Sequence, residues 1–175
     1  MPTQTHGRLI ISPYDDVSRE LKEADISHVV WILGRGDELP WLDVGECQVC
    51  RLEFDDTQYS SGQLVAPSRQ QIEELITFAK TWGGAGGLLI HCRAGTSRSP
   101  AAAMIALVAI GRADLIESVI TGKAYFRPHT GGLGIADAIM SQSPGLLAMA
   151  LGKPVPVRED DIGPVYISVS GQAPT

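Results

Sequence analysis

Two rhythms of apolar residues run through this chain, one with the period of a strand and one with the period of a helix, and they alternate. Arg8 to Ser12 reads as a short first strand, and Val17 to Asp25, entered through Tyr14-Asp15-Asp16, reads as a helix with acids near its positive end. Val29-Val30-Trp31-Ile32-Leu33 is an unbroken apolar run of strand length, closed by Gly34-Arg35-Gly36-Asp37. A third strand is expected over Glu46 to Phe54. Ser68 to Trp82 then carries Ile72, Leu75, Ile76 and Ala79 on one helical face, and Gly83-Gly84-Ala85-Gly86-Gly87 turns the chain into a further strand through the apolar run Leu88-Leu89-Ile90.

Beyond residue 97 the helical period dominates. Arg98 to Ile110 predicts a buried helix in which Pro100 is tolerated in the first turn, where no helical hydrogen bond is lost, and Ala101, Ala102, Ala103, Ala106 and Ala109 allow close packing. Asp114 to Lys123 reads as a further helix, and Gly134 to Met149 as a last one interrupted near Ser143-Pro144. The final stretch from Gly152 holds the cluster Arg158-Glu159-Asp160-Asp161 and reads as a loosely held tail, although Val165 to Val169 has the makings of an edge strand. Strand and helix in alternation indicate an α/β fold, without fixing the strand order. The expected organisation is one domain over residues 1–150 and a tail over 151–175.

Composition narrows the picture. A chain of 175 residues, 44% of them hydrophobic, is large enough for one substantial core. Its net charge of −6, with no basic run, argues against nucleic acid or an anionic membrane as partner. The longest apolar stretch, Pro100 to Ile110, is too short to span a bilayer, and Met1-Pro2-Thr3-Gln4-Thr5-His6-Gly7-Arg8 lacks the plan of a signal peptide. A cytoplasmic location is expected. Three cysteines make a poor disulfide framework, and Cys47-Gln48-Val49-Cys50 has redox or metal-pair spacing but lies in a strand-like run with no second pair to complete a zinc site. Both are read as structural.

The chemistry concentrates in His91-Cys92-Arg93-Ala94-Gly95-Thr96-Ser97-Arg98-Ser99-Pro100. A buried strand, a tight loop and a helix start are how a chain aims backbone N–H groups at a phosphate, with the positive end of the helix dipole behind them. Cys92 sits where an anion is favoured, and the thiolate is the nucleophilic form of cysteine. Arg98 offers a planar fork suited to two phosphate oxygens.

The pattern His-Cys-x5-Arg-Ser resembles the signature loop of the cysteine-dependent protein phosphatases, and Ala94-Gly95-x-Ser97-Arg98-Ser99 is most similar to the dual-specificity branch. The resemblance runs from about Val29 to about Met140 and is strong only at the loop. It implies a mixed, mostly parallel central sheet flanked by helices, with the site at the carboxyl ends of the strands. It also implies catalysis without cofactor or metal, through a phosphocysteine, on a phosphorylated protein. Cys92 is then the nucleophile and Arg98 the phosphate clamp, while Ser99 donates to the cysteine sulfur and His91 orients the loop from behind. Arg93, Ala94, Gly95, Thr96 and Ser97 would line the bound phosphate.

The same resemblance places a general acid three to four dozen residues before the cysteine, at Glu53-Phe54-Asp55-Asp56-Thr57. Strand parity puts Cys50, Leu52 and Phe54 on the buried side, Asp56 with them, and Asp55 with the polar set. An acid on the buried side holds its proton more readily, so Asp56 is preferred and Asp55 is read as a solvated acid or turn cap. In Arg127-Pro128-His129-Thr130-Gly131-Gly132 the Asn carried by the family is absent, which leaves His129 as the candidate from this segment for the cleft wall. No extended aromatic and basic segment deepens the pocket. A shallow cleft for phosphotyrosine, open also to phosphoserine and phosphothreonine, is the expectation. The alternatives are a module that binds phosphoproteins without turning them over, or a phosphatase for a non-protein phosphate monoester. A rhodanese-type loop would be shorter than Cys92 to Arg98.

Overall fold

The computed structural model describes residues 7–123, 126–141, 145–152 and 163–169. Five strands, β1 (Arg8–Pro13), β2 (Ile26–Leu33), β3 (Gln48–Glu53), β4 (Gly87–Cys92) and β5 (Val165–Ser168), form one sheet in the order β3-β2-β4-β1-β5. The pairs β1–β4, β4–β2 and β2–β3 are parallel, and β5 runs antiparallel to β1 at the edge. The fold is therefore α/β, built on a mixed and mostly parallel sheet. The Arg158 to Asp161 cluster and the Ser143-Pro144 break lie outside the described residues.

Period-two alternation decides which side chains meet which layer. Leu9 and Ile11, Val30 and Ile32, Leu88, Ile90 and Cys92 face one side, where α2 (Arg69–Trp82), α3 (Arg98–Ala109) and α5 (Thr130–Met140) complete the main core. Ile10, Val29, Trp31, Leu33 and Leu89 face the other side, covered by α1 (Val17–Glu23) and the long connection from residue 34 to 47. Two further helices, α4 (Ile116–Ile120) and α6 (Leu146–Leu151), extend the main side. The expected helix over Asp114 to Lys123 is shorter than its pattern, because its first residues form a 3-10 turn over Ala113–Leu115. Similarly, the last expected helix is divided into α5 and α6, and α5 starts four residues earlier, at Thr130.

Local signals account for the best-defined elements. Ser68 caps α2 in a reciprocal capping box with Gln71, and Gly83 ends that helix in the left-handed region at φ 61°. Such a box contributes about 1 kcal/mol. By contrast α3 is buried on all sides from Arg98 to Leu107, which explains a run of alanines with little amphipathic contrast. No described helix is long and apolar enough to cross a membrane.

Parallel strands have a consequence for function. The carboxyl ends of β2, β3 and β4 fall at the same edge of the sheet, so the segments beginning at Gly34, Phe54 and Arg93 converge there.

Candidate active site

Cys92 is the last residue of β4, and its Sγ is held from two directions: the Gly95 N–H donates to it at 3.2 Å, and Ser99 Oγ lies 3.3 Å away. The loop that returns from Cys92 to α3 is tied outward by its carbonyls. Tyr14 N–H donates to Arg93 O at 3.0 Å, Arg127 N–H to Thr96 O at 2.9 Å, and His129 N–H to Ser97 O at 3.1 Å. In a trans peptide the next N–H points opposite to the carbonyl, so the amides of Ala94, Ser97 and Arg98 are turned inward. Gly95 makes this curvature possible. It has φ +72°, and a Cβ there would stand 2.6 Å from Pro13 N.

Ser97 is the N-cap of α3, yet its hydroxyl makes no cap hydrogen bond. It donates instead to Asp56 Oδ1 at 2.7 Å. The first turn of α3 is thereby left without a side-chain cap, with its dipole directed at the loop, the arrangement that favours a bound anion.

Arg98 is 7% exposed and reaches back under the loop ends. Its Nη1 donates to Phe54 O at 3.0 Å, and both Nη1 and Nη2 donate to Asp37 Oδ2, at 3.3 and 3.2 Å. Its Nε is buried without a hydrogen-bond partner. The other oxygen of Asp37 accepts from Arg93 Nη1 at 3.3 Å, and Gly34 N–H donates to Oδ2 at 2.7 Å. Burial alone would raise the Asp37 pKa, but the Gly34 bond, the Arg98 charge and the bonds from Arg93 and Arg98 outweigh it and hold the carboxyl below its ordinary value. Asp37 is a site residue outside the set expected from the sequence. The available signal was an acid in a Gly34-x-x-Asp37 turn at the end of a strand that neighbours the cysteine strand.

The two aspartates after β3 exchange the burial expected of them. The strand ends at Glu53, and beyond it Asp55 is 7% exposed while the Asp56 side chain is 49% exposed. Asp55 Oδ2 accepts from Val65 N–H at 2.7 Å, and its own N–H donates to Val65 O at 2.7 Å, which closes the loop on itself. Asp55 is thus a buried clamp and not a solvated acid. Asp56, not buried by strand parity as expected, still stands against the loop through Ser97. Parity failed because the alternation lapses where the ladder stops.

His91 is fully buried on the far face of β4, edge-on to Trp31 at 4.8 Å and to Tyr14 at 6.0 Å between ring centroids. Burial pushes its pKa down to about 4 against an opposing contribution from the Cys92 backbone, so it is neutral at pH 7. His129, also buried, accepts from Gly132 N–H at Nδ1 (3.1 Å), which assigns the proton to Nε2. Nε2 then donates to Thr57 O at 2.8 Å, with Asp56 Oδ1 3.9 Å away. Of the remaining loop residues, Ala94 and Arg93 are exposed at the rim, and Thr96 and Ser97 are half-buried.

Cys47 and Cys50 lie far from this chemistry in character. They pack on opposite faces of the sheet, so they cannot act as a pair. Cys47 Sγ donates to Ile26 O at 3.1 Å, and burial pushes the Cys50 thiol up to about 12. Among the described residues no three His, Cys, Asp or Glu side chains converge as a metal site would require.

Neither a family model nor a curated protein matches the sequence. Among solved structures, the chain is similar to DUSP15, a dual-specificity phosphatase, with a TM-score of 0.58 and 21% identity over 82% of this chain and 90% of that one. It is also similar to Tk-PTP in its active form, an archaeal tyrosine phosphatase, with a TM-score of 0.51 and 19% identity over 81% of this chain and 99% of that one. The protein shares the α/β fold of these two structures, a mixed sheet flanked by helices.

Proposed function

We propose that this protein is a cysteine-dependent phosphatase that hydrolyses phosphotyrosine in proteins and, through a shallow cleft, phosphoserine and phosphothreonine. The observation that carries this reading is Cys92 Sγ within 3.2 Å of the Gly95 N–H and 3.3 Å of Ser99 Oγ, at the foot of a loop closed by Arg98. In the first step the Cys92 thiolate attacks phosphorus, an S–P bond forms, and the bond from phosphorus to the side-chain oxygen breaks. The inward amides and Arg98 receive the charge on the equatorial oxygens. Asp56 gives its proton to the departing oxygen. Ser97 donates to Oδ1, which leaves Oδ2 as the natural bearer of that proton.

In the second step Asp56 takes a proton from water as the water oxygen attacks phosphorus, and the S–P bond breaks. The returning thiolate is met by the Gly95 N–H and the Ser99 hydroxyl. Arg93, Ala94, Gly95, Thr96 and Ser97 surround the phosphate, and His91 supports the loop from behind as a neutral ring. On this reading the partner is a phosphorylated protein, residues 1–150 are the catalytic unit, and the 151–175 stretch contributes β5. A reducing compartment such as the cytoplasm keeps the thiol usable.

The test is phosphate release from phosphotyrosine, phosphothreonine and inositol phosphate substrates in EDTA, with Cys92→Ser alongside. Release from the phosphopeptides that disappears in Cys92→Ser is expected. Undiminished release by Cys92→Ser, or a strict need for a divalent ion, would falsify the cysteine mechanism, and turnover of inositol phosphate alone would move the substrate outside proteins.

A further inference from the structure

Beside Asp56 the surface changes character. A groove of about 460 Å³ opens between the loop that follows Asp56 and the start of α5, lined on one side by Gln58, Tyr59 and Pro67 and on the other by Ile135, Ala138 and Leu147. No charged side chain lines it. Tyr59 is 78% exposed, an unusual position for a large ring, and Leu151 is also exposed one helical turn beyond Leu147, on the same face of α6. The two walls are firmly placed. Thr57 Oγ1 donates to Tyr59 O at 2.9 Å, Asp55 clamps Val65, and His129 joins Thr57 to the first turn of α5.

We infer that this groove holds an uncharged aliphatic or aromatic side chain of the substrate peptide, within a few residues of the phosphorylated one. The inference rests on the proposed phosphatase reading. A general acid must touch the departing oxygen, so the organic part of the substrate lies on the Asp56 side of the phosphate and leaves the cleft over the Asp56 loop. That path leads to the groove, whose walls begin two residues after Asp56 and one residue after His129. The lining determines what is accepted. The walls are uncharged and, apart from Gln58 and Thr130, carry no polar side chain besides the Tyr59 hydroxyl, so they gain from removing a hydrophobic side chain from water, whereas an acidic or basic side chain would lose hydration with no opposite charge to pair with.

The experiment measures kcat/KM for phosphotyrosine peptides that carry Leu, Phe, Ser or Glu at the three positions on either side of the phosphotyrosine, and for a small aryl phosphate without peptide. For the wild-type protein, the peptides with Leu or Phe on one flank should exceed their Ser and Glu counterparts by about tenfold. Tyr59→Ala and Ala138→Glu, both at exposed positions, should collapse that ratio towards one. Equal kcat/KM across the peptides, or a preference that survives both substitutions, overturns the groove assignment while leaving the phosphatase reading intact. No turnover of the aryl phosphate or of any peptide rejects the phosphatase reading itself and the groove assignment with it.

Discussion

Asp37 Oδ2 accepts hydrogen bonds from both terminal nitrogens of Arg98, at 3.3 and 3.2 Å, while its Oδ1 accepts from Arg93 at the loop rim. One carboxylate therefore aligns the buried cation of the loop and the exposed one together. Asp37→Ala leaves the Arg98 charge buried with only the Phe54 carbonyl, and should cost on the order of 3 kcal/mol of stability. Phosphate should recover part of that loss by pairing with the stranded cation. Asp37→Asn, which keeps an acceptor, should be milder. Because the Asp37 pKa is held below its ordinary value of 3.8, its stabilisation is complete above that pH and is lost as pH falls through the lower folded value. Urea unfolding of wild type and Asp37→Asn should differ at pH 7 and converge towards pH 3. A constant difference over that range would show that Asp37 acts through packing alone.

Asp55 and Asp56 are adjacent but should fail in different ways. Asp56→Asn should lower kcat on phosphotyrosine by on the order of 10²-fold, and much less on an aryl phosphate whose leaving group is already stable as an anion. Asp55→Ala should instead destabilise the fold by about 1–3 kcal/mol, since it strands the Val65 N–H. Thermal melts and leaving-group series on both variants check this. A leaving-group-dependent loss in Asp55→Ala without a shift in melting would exchange their roles.

His129 should behave as a positioning residue for Asp56, because its ring links Gly132 to Thr57 while only its backbone N–H meets the loop, at Ser97 O. His129→Ala should reduce kcat on phosphotyrosine and have little further effect in an Asp56→Asn background, whereas independent losses would multiply. His129→Gln, able to donate and accept, should restore part of the rate. Additive losses in the double variant would reduce His129 to a packing role.

His91 predicts a second pH dependence, of the same sign. Its pKa is 6.5 in an ordinary setting and about 4 when buried here, so below pH 6.5 the unfolded chain binds a proton that the folded chain refuses. Stability should therefore fall as pH drops from 6.5 to 4, by roughly 3 kcal/mol at 1.36 kcal/mol per unit. In His91→Asn that part of the fall should disappear. An unchanged slope would mean that the ring carries its charge inside the fold.

The elements and the nucleophilic loop were legible in the order of residues, because both depend on local physics. Apolar runs of strand length, and a cysteine and an arginine separated by a glycine loop, are all contained within short windows. Even the need for Gly95 could be read there, although the reason for it, the approach of Pro13 from β1, could not. The strand order, the Asp37 clamp, the exchange of burial between Asp55 and Asp56, and the link from His129 to Thr57 were decided only by tertiary structure. Each depends on a contact between residues far apart in the chain. Arg98 meets Asp37 from 61 residues away and Ser97 meets Asp56 from 41, brought together because parallel strands deliver their carboxyl ends to one edge of the sheet. A period-two pattern states which face a residue takes while its strand lasts, and it is silent from Phe54 onward, where the ladder ends and the site begins.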